Sequence, residues 1–351
     1  MKIAVVTTTI NVPKLLVDYA KNFDKFGWKK SDVFFVIAGD KKTPSLVDFA
    51  SLLYSDHGYR CEYLGLKEQE DLSPSLNRYI PLNTISRRNF AILKAYIEGA
   101  DIVVTIDDDN LVRPAYDYLG AHAIIGTKTK IKHVSAKSGW YDVCRTLNEA
   151  DKKVFYHRGY PIDKRMESEN SANLREAEVV VNAGLWLDAP DTDAMAWINF
   201  GSLDVLNFYS KVHGEQFALE KGTWCPFNSQ NTALARKIIP AYFLNPPQMR
   251  YDDIWASYIV RKVADHLGHS VSYGQPLVIQ KRNPHNYITD LKNEIEGMDR
   301  TPELIRELRA MELTQKNYKD ATYELVDKLS DKYKDLKTGY GTWLSVIDGV
   351  E

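Results

Sequence analysis

Strand-like and helix-like segments alternate along the first third of the chain, and this alternation restricts the folds that the chain can adopt. Segments with apolar residues at helical spacing separate four strand-like segments, which are KIAVVTTTI, DVFFVIAGD, CEYLGL and DIVVTIDDD. Alternation of this kind favours a mainly parallel sheet flanked by helices. We therefore predict an α/β fold of Rossmann type, with ligands bound beyond the carboxyl ends of the strands.

The rest of the chain contains further strand and helix signals and then becomes strongly helical. YDDIWASYIVRKVADHLG predicts a helix and SVSYGQPLVIQ predicts a strand. After them, Thr301 and Pro302 suit the N-cap and the first position of a new helix. A length of 351 residues is long for one small domain and short for two full ones. We expect a main domain over residues 1–298 and a C-terminal helical extension over residues 299–351.

The composition argues against several kinds of partner. The chain has 45 basic and 47 acidic residues, so a nucleic-acid partner is not expected. No segment is apolar over a bilayer-spanning length, and MKIAVVTTTINVP is typical of a first strand, so we expect neither membrane insertion nor a signal peptide. Three cysteines without a ligand or disulfide pattern suggest reduced thiols in a cytoplasmic protein. We also expect a homo-oligomer.

The strand DIVVTI ends in three consecutive aspartates, Asp107, Asp108 and Asp109. Adjacent carboxylates repel one another, so a fold accommodates them where a cation neutralises them or where they all face water. An acidic surface turn is one interpretation, but the apolar residues before the aspartates predict a central strand. Alternation along the extended chain sends Asp107 and Asp109 to the same side.

Two carboxylates on one side of a loop suit a hard divalent ion such as Mg²⁺ or Mn²⁺, whose open positions can take diphosphate oxygens. A D-x-D motif at such a strand end is typical of nucleotide-sugar enzymes of the GT-A type. We predict that Asp107 and Asp109 are metal ligands. His285, after the last predicted strand, is a candidate third ligand, because neutral imidazole suits Mn²⁺. An exposed loop histidine is the alternative.

Five segments carry a resemblance to a known family. Between about residues 100 and 295 they occur in the order TIDDDN, RGYPIDKR, NAGLWLDAPDTDA, KGTWCPFNSQNTAL and YDDIWASYIVRKVADHLG. Together they resemble the reversibly glycosylated polypeptides, whose activity is that of UDP-arabinopyranose mutase. The resemblance is weaker before these segments and is not seen in the C-terminal helices.

The resemblance implies a GT-A-like fold with a nucleotide-sugar and a divalent metal at the aspartates. The implied reaction interconverts the pyranose and furanose forms of a sugar that stays on its nucleotide. The substrate would be a UDP-arabinose-like compound or a GDP-linked hexose or deoxyhexose. The family is also named for reversible self-glycosylation of an arginine, which matches Arg158. No G-x-G-x-x-G follows the first strand, so we expect no flavin.

Four residues are candidates for catalysis. Arg158 and Arg165, which both match the family, carry permanent charge and fork-like donors suited to phosphate oxygens. Surface ion pairs with Asp163 or Glu167 are the alternative for these arginines.

The other two catalytic candidates are Asp252 and Asp253, at the start of a predicted helix. Acids at a helix N-terminus interact favourably with the helix dipole, so one of them can have this role alone. The other can serve as a general base toward the sugar.

Further residues are candidates for binding the nucleotide-sugar. Arg88 opens a predicted helix, where an anion can bind. Trp186 and Tyr160 can stack on a base or sugar, and a place in the core is the alternative for both. The predicted substrate contacts are Arg88, Asp108, Tyr160, Trp186, Asp191, Asp193 and Asn231.

Two other functions remain open at this point. A metal-dependent GT-A glycosyltransferase would use the same nucleotide and metal site, but it needs a cleft for an acceptor. A non-enzymatic subunit would bind nucleotide-sugar and support a partner, with its C-terminal helices as the docking surface.

Overall fold

The computed structural model describes residues 1–166, 169–209 and 213–350. Its N-terminal part is a set of parallel strands in the order β3-β2-β1-β4, with helices in the connections. Strands β1, β2 and β4 are buried along their whole length, as expected for parallel strands covered on both faces. The elements are β1 (Ile3–Thr8), α1 (Leu15–Lys25), β2 (Val33–Ala38), α2 (Val47–His57), β3 (Arg60–Leu64), α3 (Leu66–Leu72), α4 (Pro74–Tyr79), α5 (Arg88–Ile97) and β4 (Ile102–Ile106).

The middle of the chain extends the same sheet with strands of both directions. The elements are β5 (Asn110–Val112), α6 (Tyr118–His122), β6 (Lys128–Ala136), β7 (Leu147–Glu149), β8 (Asn170–Asp188), α7 (Ala194–Phe200), β9 (Val205–Phe208), β10 (Gln216–Leu219), β11 (Asn231–Ala235), α8 (Asp252–Leu267) and β12 (Ser270–Gln280). Strand β11 lies antiparallel between β4 and β8. The predicted α/β fold is confirmed, and the sheet is parallel in its first part and mixed as a whole.

Three helices follow the last strand: α9 (Tyr287–Ala310), α10 (Tyr318–Lys328) and α11 (Lys334–Asp348). The C-terminal helices are therefore present, but the predicted helix start at Thr301 is wrong. Helix α9 begins earlier because the Asn286 side chain accepts hydrogen bonds from the first-turn N–H groups of Ile288 and Thr289. Pro302 lies inside this helix, and the predicted boundary between residues 298 and 299 falls within it.

The C-terminal helices pack on the main body through buried aromatic and polar contacts. In α11, the Trp343 ring stacks on Phe243 at a centroid distance of 5.4 Å. Trp255 of α8 donates through Nε1 to Thr301 Oγ1 of α9 at 2.8 Å. Thr301 therefore lies inside α9, where it links this helix to α8, and it is not a helix cap. No described helix combines the length and the apolar character needed to cross a membrane.

Candidate active site

The aspartate segment and the end of β12 lie side by side at one edge of the sheet. Strand β12 pairs antiparallel with β5, so that Gln280 lies opposite Asn110, and the Lys281 N–H donates to the Asp109 carbonyl at 3.0 Å. A cavity of about 340 Å³ opens at this edge, beyond the carboxyl end of β4. We call it the first cavity.

The three aspartates divide between two neighbouring cavities. Asp107 and Asp109 line the first cavity, as the alternation along the chain predicts. Asp108 lines a second cavity of about 430 Å³ beside Thr9 and Asp40, and the Thr9 hydroxyl donates to Asp108 Oδ2 at 2.6 Å. Residues 83–85 line both cavities, so the two spaces adjoin.

Arg88 fixes the aspartate segment from behind. It is fully buried at the start of α5, where its guanidinium pairs with Asp107 and donates to the Ser229 carbonyl at 2.8 Å and hydroxyl at 2.6 Å. Arg88 does not line the first cavity. The structure therefore places it as a support for Asp107, because the N-terminus of α5 faces the protein interior, and its contact with substrate stays a prediction.

Arg158 lines the first cavity and is held by two carboxylates. It donates to Asp191 at 3.0 Å through both Nε and Nη2, and to Asp253 at 3.1 Å through both Nη1 and Nη2. Its remaining Nη1 hydrogen faces the Arg250 carbonyl. All five N–H groups of the guanidinium are occupied. Although burial opposes the charge, Asp191 and Asp253 raise the pKa of Arg158 well above its ordinary value.

Asp252 and Asp253 are adjacent at the start of α8 but have different environments. Asp253 is paired with Arg158 and accepts the Ser229 N–H at 3.1 Å. Among the described residues, the groups that donate to Asp252 are neutral: the Ser86 hydroxyl, at 3.0 Å, and the Asp253 N–H, at 2.8 Å. Burial, and then the charge of Asp253, raise the pKa of Asp252 to about 7. Asp252 is therefore suited to exchange a proton near neutral pH.

One wall of the first cavity is basic, and the sequence predicted only one of its three described residues as part of the site. Arg250, Arg282 and His285 line this wall. Arg250 bonds to Glu294 at 2.8 Å, and His285 bonds to Asp290 at 2.9 Å. Arg250 directly precedes the segment YDDIWAS, and Arg282 lies three residues before His285. Arginines in loops are usually solvated, so these positions alone did not predict a role in the site. Only their approach in space marks them as part of the site.

Asp107 and Asp109 have the chemistry of a Mg²⁺ or Mn²⁺ site. The Asp109 Oδ1 atom is buried without a hydrogen-bond partner, and burial, with Asp107 and Asp108 nearby, raises the pKa of Asp109 to about 7. Within the described part of the chain, no group of three His, Cys, Asp or Glu side chains is placed to hold a metal. Mg²⁺ commonly binds one or two carboxylates and takes its remaining ligands from phosphate and water, so the pair fits such an ion. The role of His285 as a third ligand stays a prediction.

Several predicted site residues lie away from the two cavities. Arg165 and Asp193 form an ion pair with each other, and the Arg165 guanidinium lies 5.0 Å from the Tyr156 ring centroid. Glu167, considered as a partner for the arginines, is outside the described residues. The remaining side chains are buried in the core, where size and hydrogen bonding place them: Tyr160 stacks on Tyr156, Trp186 packs beside His157, and Asn231 bonds His122.

Two residues at the first cavity have a backbone conformation that L-residues rarely adopt. Asn83 has φ of 60° and Met249 has φ of 51°. Asparagine tolerates this region, but methionine does so at a cost of about 1–2 kcal/mol. Strain of this kind is concentrated at functional sites, which agrees with the position of both residues at the cavity wall.

The fold and the cavities define an α/β protein with a charged ligand site beyond the carboxyl end of its central strand β4. The model of the family described as "Reversibly glycosylated polypeptide" matches residues 53–342. The chain belongs to this family, as the five segments indicated. The match also includes much of the C-terminal region, so the expectation that the resemblance ends before the last helices is wrong.

Curated relatives of known name agree with this assignment. The chain is 28% identical over 264 residues to "Probable UDP-arabinopyranose mutase 1" of Pisum sativum, over 71% of this chain and 68% of the relative. It is also 28% identical over 262 residues to "UDP-arabinopyranose mutase 1" of Arabidopsis thaliana, over 70% of this chain and 68% of the relative.

Solved structures show a weaker likeness. Staphylococcus aureus TarS 1–349 in complex with UDP-GlcNAc has a TM-score of 0.40 at 10% identity, covering 99% of this chain and 91% of that chain. The mannosyltransferase PcManGT of Pyrobaculum calidifontis, in complex with GDP-Man and Mn²⁺, has a TM-score of 0.35 at 12% identity, with 99% and 86% covered.

Proposed function

We propose that the protein is a UDP-sugar mutase that interconverts the pyranose and furanose forms of the sugar. The observation that carries the proposal is the pair of carboxyls at the start of α8. Asp252 can exchange a proton near neutral pH, while Asp253 forms an ion pair with Arg158. Relatives named UDP-arabinopyranose mutase support UDP and a pentose over a GDP-linked hexose.

The two adjoining cavities suggest how the substrate binds. The nucleoside would occupy the second cavity, beside Thr9, Asp40 and Asp108. The sugar would lie in the first cavity, toward Asp252 and Asp253. The diphosphate would then pass the aspartate segment. A divalent ion held there by Asp107 and Asp109 would supply Lewis-acid stabilisation of the diphosphate.

The reaction must break the bond between the anomeric carbon and the phosphate oxygen and exchange one ring oxygen for another. We infer that the sugar hydroxyl that forms the new ring attacks the anomeric carbon and transfers its proton to Asp252. The electron pair of the broken bond leaves with the diphosphate, and a bicyclic acetal forms. Asp252 then returns the proton to the original ring oxygen as that bond opens, and the diphosphate rejoins the anomeric carbon.

Arg158 is the alternative acceptor for the anomeric carbon. Its five N–H groups are all engaged, and its charge is stabilised by Asp191 and Asp253, so no lone pair is available for attack. We therefore propose that Arg158 holds the two carboxylates in place. Self-glycosylation of Arg158 would be a side reaction of an activated sugar.

The test is turnover by one purified chain without an acceptor. The chain is incubated with a panel of UDP- and GDP-sugars and Mn²⁺, and chromatography is used to detect a furanose isomer. A furanose product from a UDP-pentose supports the mutase. Transfer only to an added acceptor would identify a glycosyltransferase, and binding without conversion would identify a nucleotide-sugar-binding subunit.

The cytoplasmic location and the homo-oligomeric state of the protein also stay predictions.

A further inference from the structure

The two arginines of the basic wall, Arg250 and Arg282, share the carboxylates Glu294 and Asp290 unequally. Glu294 pairs with Arg250 Nε at 2.8 Å. Asp290 is shared among the rest: it lies 3.5 Å from Arg250 Nη1, 3.4 Å from Arg282 Nη2 and 2.9 Å from His285 Nδ1. Because Asp290 is divided in this way, its charge is only partly available to Arg282.

Arg282 is a buried cation whose one hydrogen-bonded carboxylate among the described residues is Asp290, while Asp191 attracts it electrostatically. Only 9% of its side-chain surface is exposed, and its guanidinium lies 4.9 Å from the Trp197 ring centroid. The Nε atom is buried without a partner, and among the described residues the 3.4 Å contact with Asp290 is its one side-chain hydrogen bond. Burial lowers the pKa of Arg282. Burying a charge in this way is costly unless a partner neutralises it, so the position suits an arginine that meets an anionic ligand.

The other arginines near the site are already satisfied. All five donors of Arg158 are occupied, and Arg88 is held behind Asp107 outside the cavity lining. Arg250 has a close carboxylate partner in Glu294. Of the described arginines that line the first cavity, Arg282 is therefore the one best able to bind an incoming anion.

The position of Arg282 also indicates which part of the substrate it meets. It lines the first cavity but not the second, where Asp108 and Asp40 lie. The backbone N–H of the preceding residue, Lys281, donates to the Asp109 carbonyl at 3.0 Å, which ties this loop to the aspartate segment. In the proposed arrangement of the substrate, Arg282 thus lies on the sugar side of the diphosphate and acts electrostatically on Asp109.

We propose that Arg282 binds the β-phosphate of the UDP-sugar and stabilises the charge that forms on it as the bond to the anomeric carbon breaks. This inference rests on the proposed function. In that step the electron pair of the broken bond moves to the phosphate oxygen. Arg282 keeps its protons and donates hydrogen bonds to the phosphate, which strengthen as negative charge accumulates.

The test compares Arg282→Gln and Arg282→Lys with a matched control, Lys281→Gln. Lys281 is the adjacent cation, but its side chain is 62% exposed and pairs with Asp188 outside the cavity. Affinities for UDP and UMP are measured by calorimetry at one fixed Mg²⁺ concentration, together with turnover of the UDP-sugar. UMP is the informative ligand because it lacks the β-phosphate.

We expect Arg282→Gln to weaken UDP binding by about 10- to 100-fold, the range of a lost charge-assisted hydrogen bond, and to leave UMP binding unchanged. Its kcat should fall at least as much. Arg282→Lys keeps the charge but not the fork, so its UDP affinity should lie between those of the wild type and Arg282→Gln. Lys281→Gln should match the wild type in all three measurements.

A lower thermal stability of either Arg282 variant with an unchanged ratio of UDP to UMP affinity would overturn the inference, because it would show a purely structural role. Failure of the wild type to bind UDP and to isomerise any UDP-sugar would instead remove the proposed function. The two failures are thus distinguished by the behaviour of the wild type.

Discussion

Arg158 donates two hydrogen bonds of 3.1 Å each to Asp253. This ion pair gives Asp253 a different electrostatic environment from its neighbour Asp252. Arg158 is the countercharge of Asp253, whereas Asp252, one residue earlier, has a pKa raised to about 7. The same guanidinium holds Asp191 on its other edge. One buried arginine therefore pairs with two of the five described aspartates that line the first cavity.

Replacing Arg158 should affect both stability and catalysis. Arg158→Gln leaves two buried carboxylates unpaired and should lower the free energy of unfolding by about 3–5 kcal/mol. Arg158→Lys keeps the charge but loses the fork, and should cost about 2–3 kcal/mol in transition-state stabilisation. Urea unfolding and kcat/KM measure the two effects.

Arg175→Lys is the control for Arg158, because Arg175 forms an exposed pair with Glu220 and should change stability by less than about 1 kcal/mol. Near-normal kcat in Arg158→Lys would show that the fork has no role in the reaction.

The proposed route through a bicyclic acetal predicts no obligatory sugar adduct on the protein. Enzyme and substrate are mixed, quenched during turnover and analysed by intact mass spectrometry. We expect any adduct to be substoichiometric and to form more slowly than turnover, because the donors of Arg158 are engaged and its guanidinium is charged. A stoichiometric adduct that forms and decays at the turnover rate would establish a covalent intermediate instead.

Asp252 should control the pH dependence of the reaction. We expect an inflection in kcat near pH 7, which Asp252→Asn removes together with about 10²- to 10⁴-fold of the rate. Ser86→Ala should move the inflection to higher pH, because the Ser86 hydroxyl stabilises the charged carboxylate. An unchanged inflection in Asp252→Asn would assign the titration to another group.

The raised pKa of Asp252 also predicts an effect on stability. Between about pH 4, the ordinary range of an aspartate, and about pH 7, the folded protein keeps a proton that the unfolded chain releases. The free energy of unfolding therefore falls as pH rises through this window. Asp252→Asn lacks this contribution, so its stability relative to the wild type should rise between about pH 4 and about pH 7 and stay constant above, as measured by urea unfolding.

The metal proposal predicts that activity is lost in excess EDTA and restored by Mn²⁺ or Mg²⁺. Asp109→Asn should lose turnover and bind UDP more weakly even with added metal, because the buried Asp109 Oδ1 is a proposed ligand atom. Asp101→Asn, which changes a carboxylate just before the start of β4, is the control. Full activity of the wild type in EDTA would rule out the metal.

Gly297 of α9 should be essential for the position of the site. A Cβ atom there would lie 2.3 Å from Cγ of Tyr251, the residue before Asp252. Gly297→Ala must displace that ring, so we expect lower stability and lower kcat. Gly341→Ala in α11 is the matched control, since its Cβ meets nothing within 4 Å and alanine should gain up to about 1 kcal/mol in a helix. Thermal unfolding and kcat of both variants provide the comparison.

Local sequence patterns predicted a large part of the fold and part of the site. Strands β1, β2 and β4 are continuous apolar runs, so their burial follows from composition alone. Asp107 and Asp109 line one cavity, as predicted, although residues 107–110 form a turn and not an extended strand. Apolar patterns of this kind depend on residues that are neighbours in the chain, so they predict secondary structure without knowledge of the tertiary fold.

Signals that were ambiguous locally led to errors. Thr301 and Pro302 have the chemistry of a helix start. However, the helix begins after the cap residue Asn286, fourteen residues earlier, at Tyr287. Thr301 is instead a buried hydrogen-bond partner of Trp255. Arg88 at a helix start resembles an anion site, but that helix end faces the interior. In both cases packing decided between two roles that the same residues allow.

By itself, the sequence determined the α/β fold, the family and the aspartate segment, because these depend on periodicity and on motifs. Only the tertiary structure decided which of two adjacent aspartates is paired with Arg158, and it brought Arg282 and Arg250 into the cavity that the aspartates line. A pKa and an ion pair depend on burial and on charges within a few ångströms. In this protein those charges come from segments more than thirty residues apart in the chain, as Arg158 is from Asp191 and Asp253.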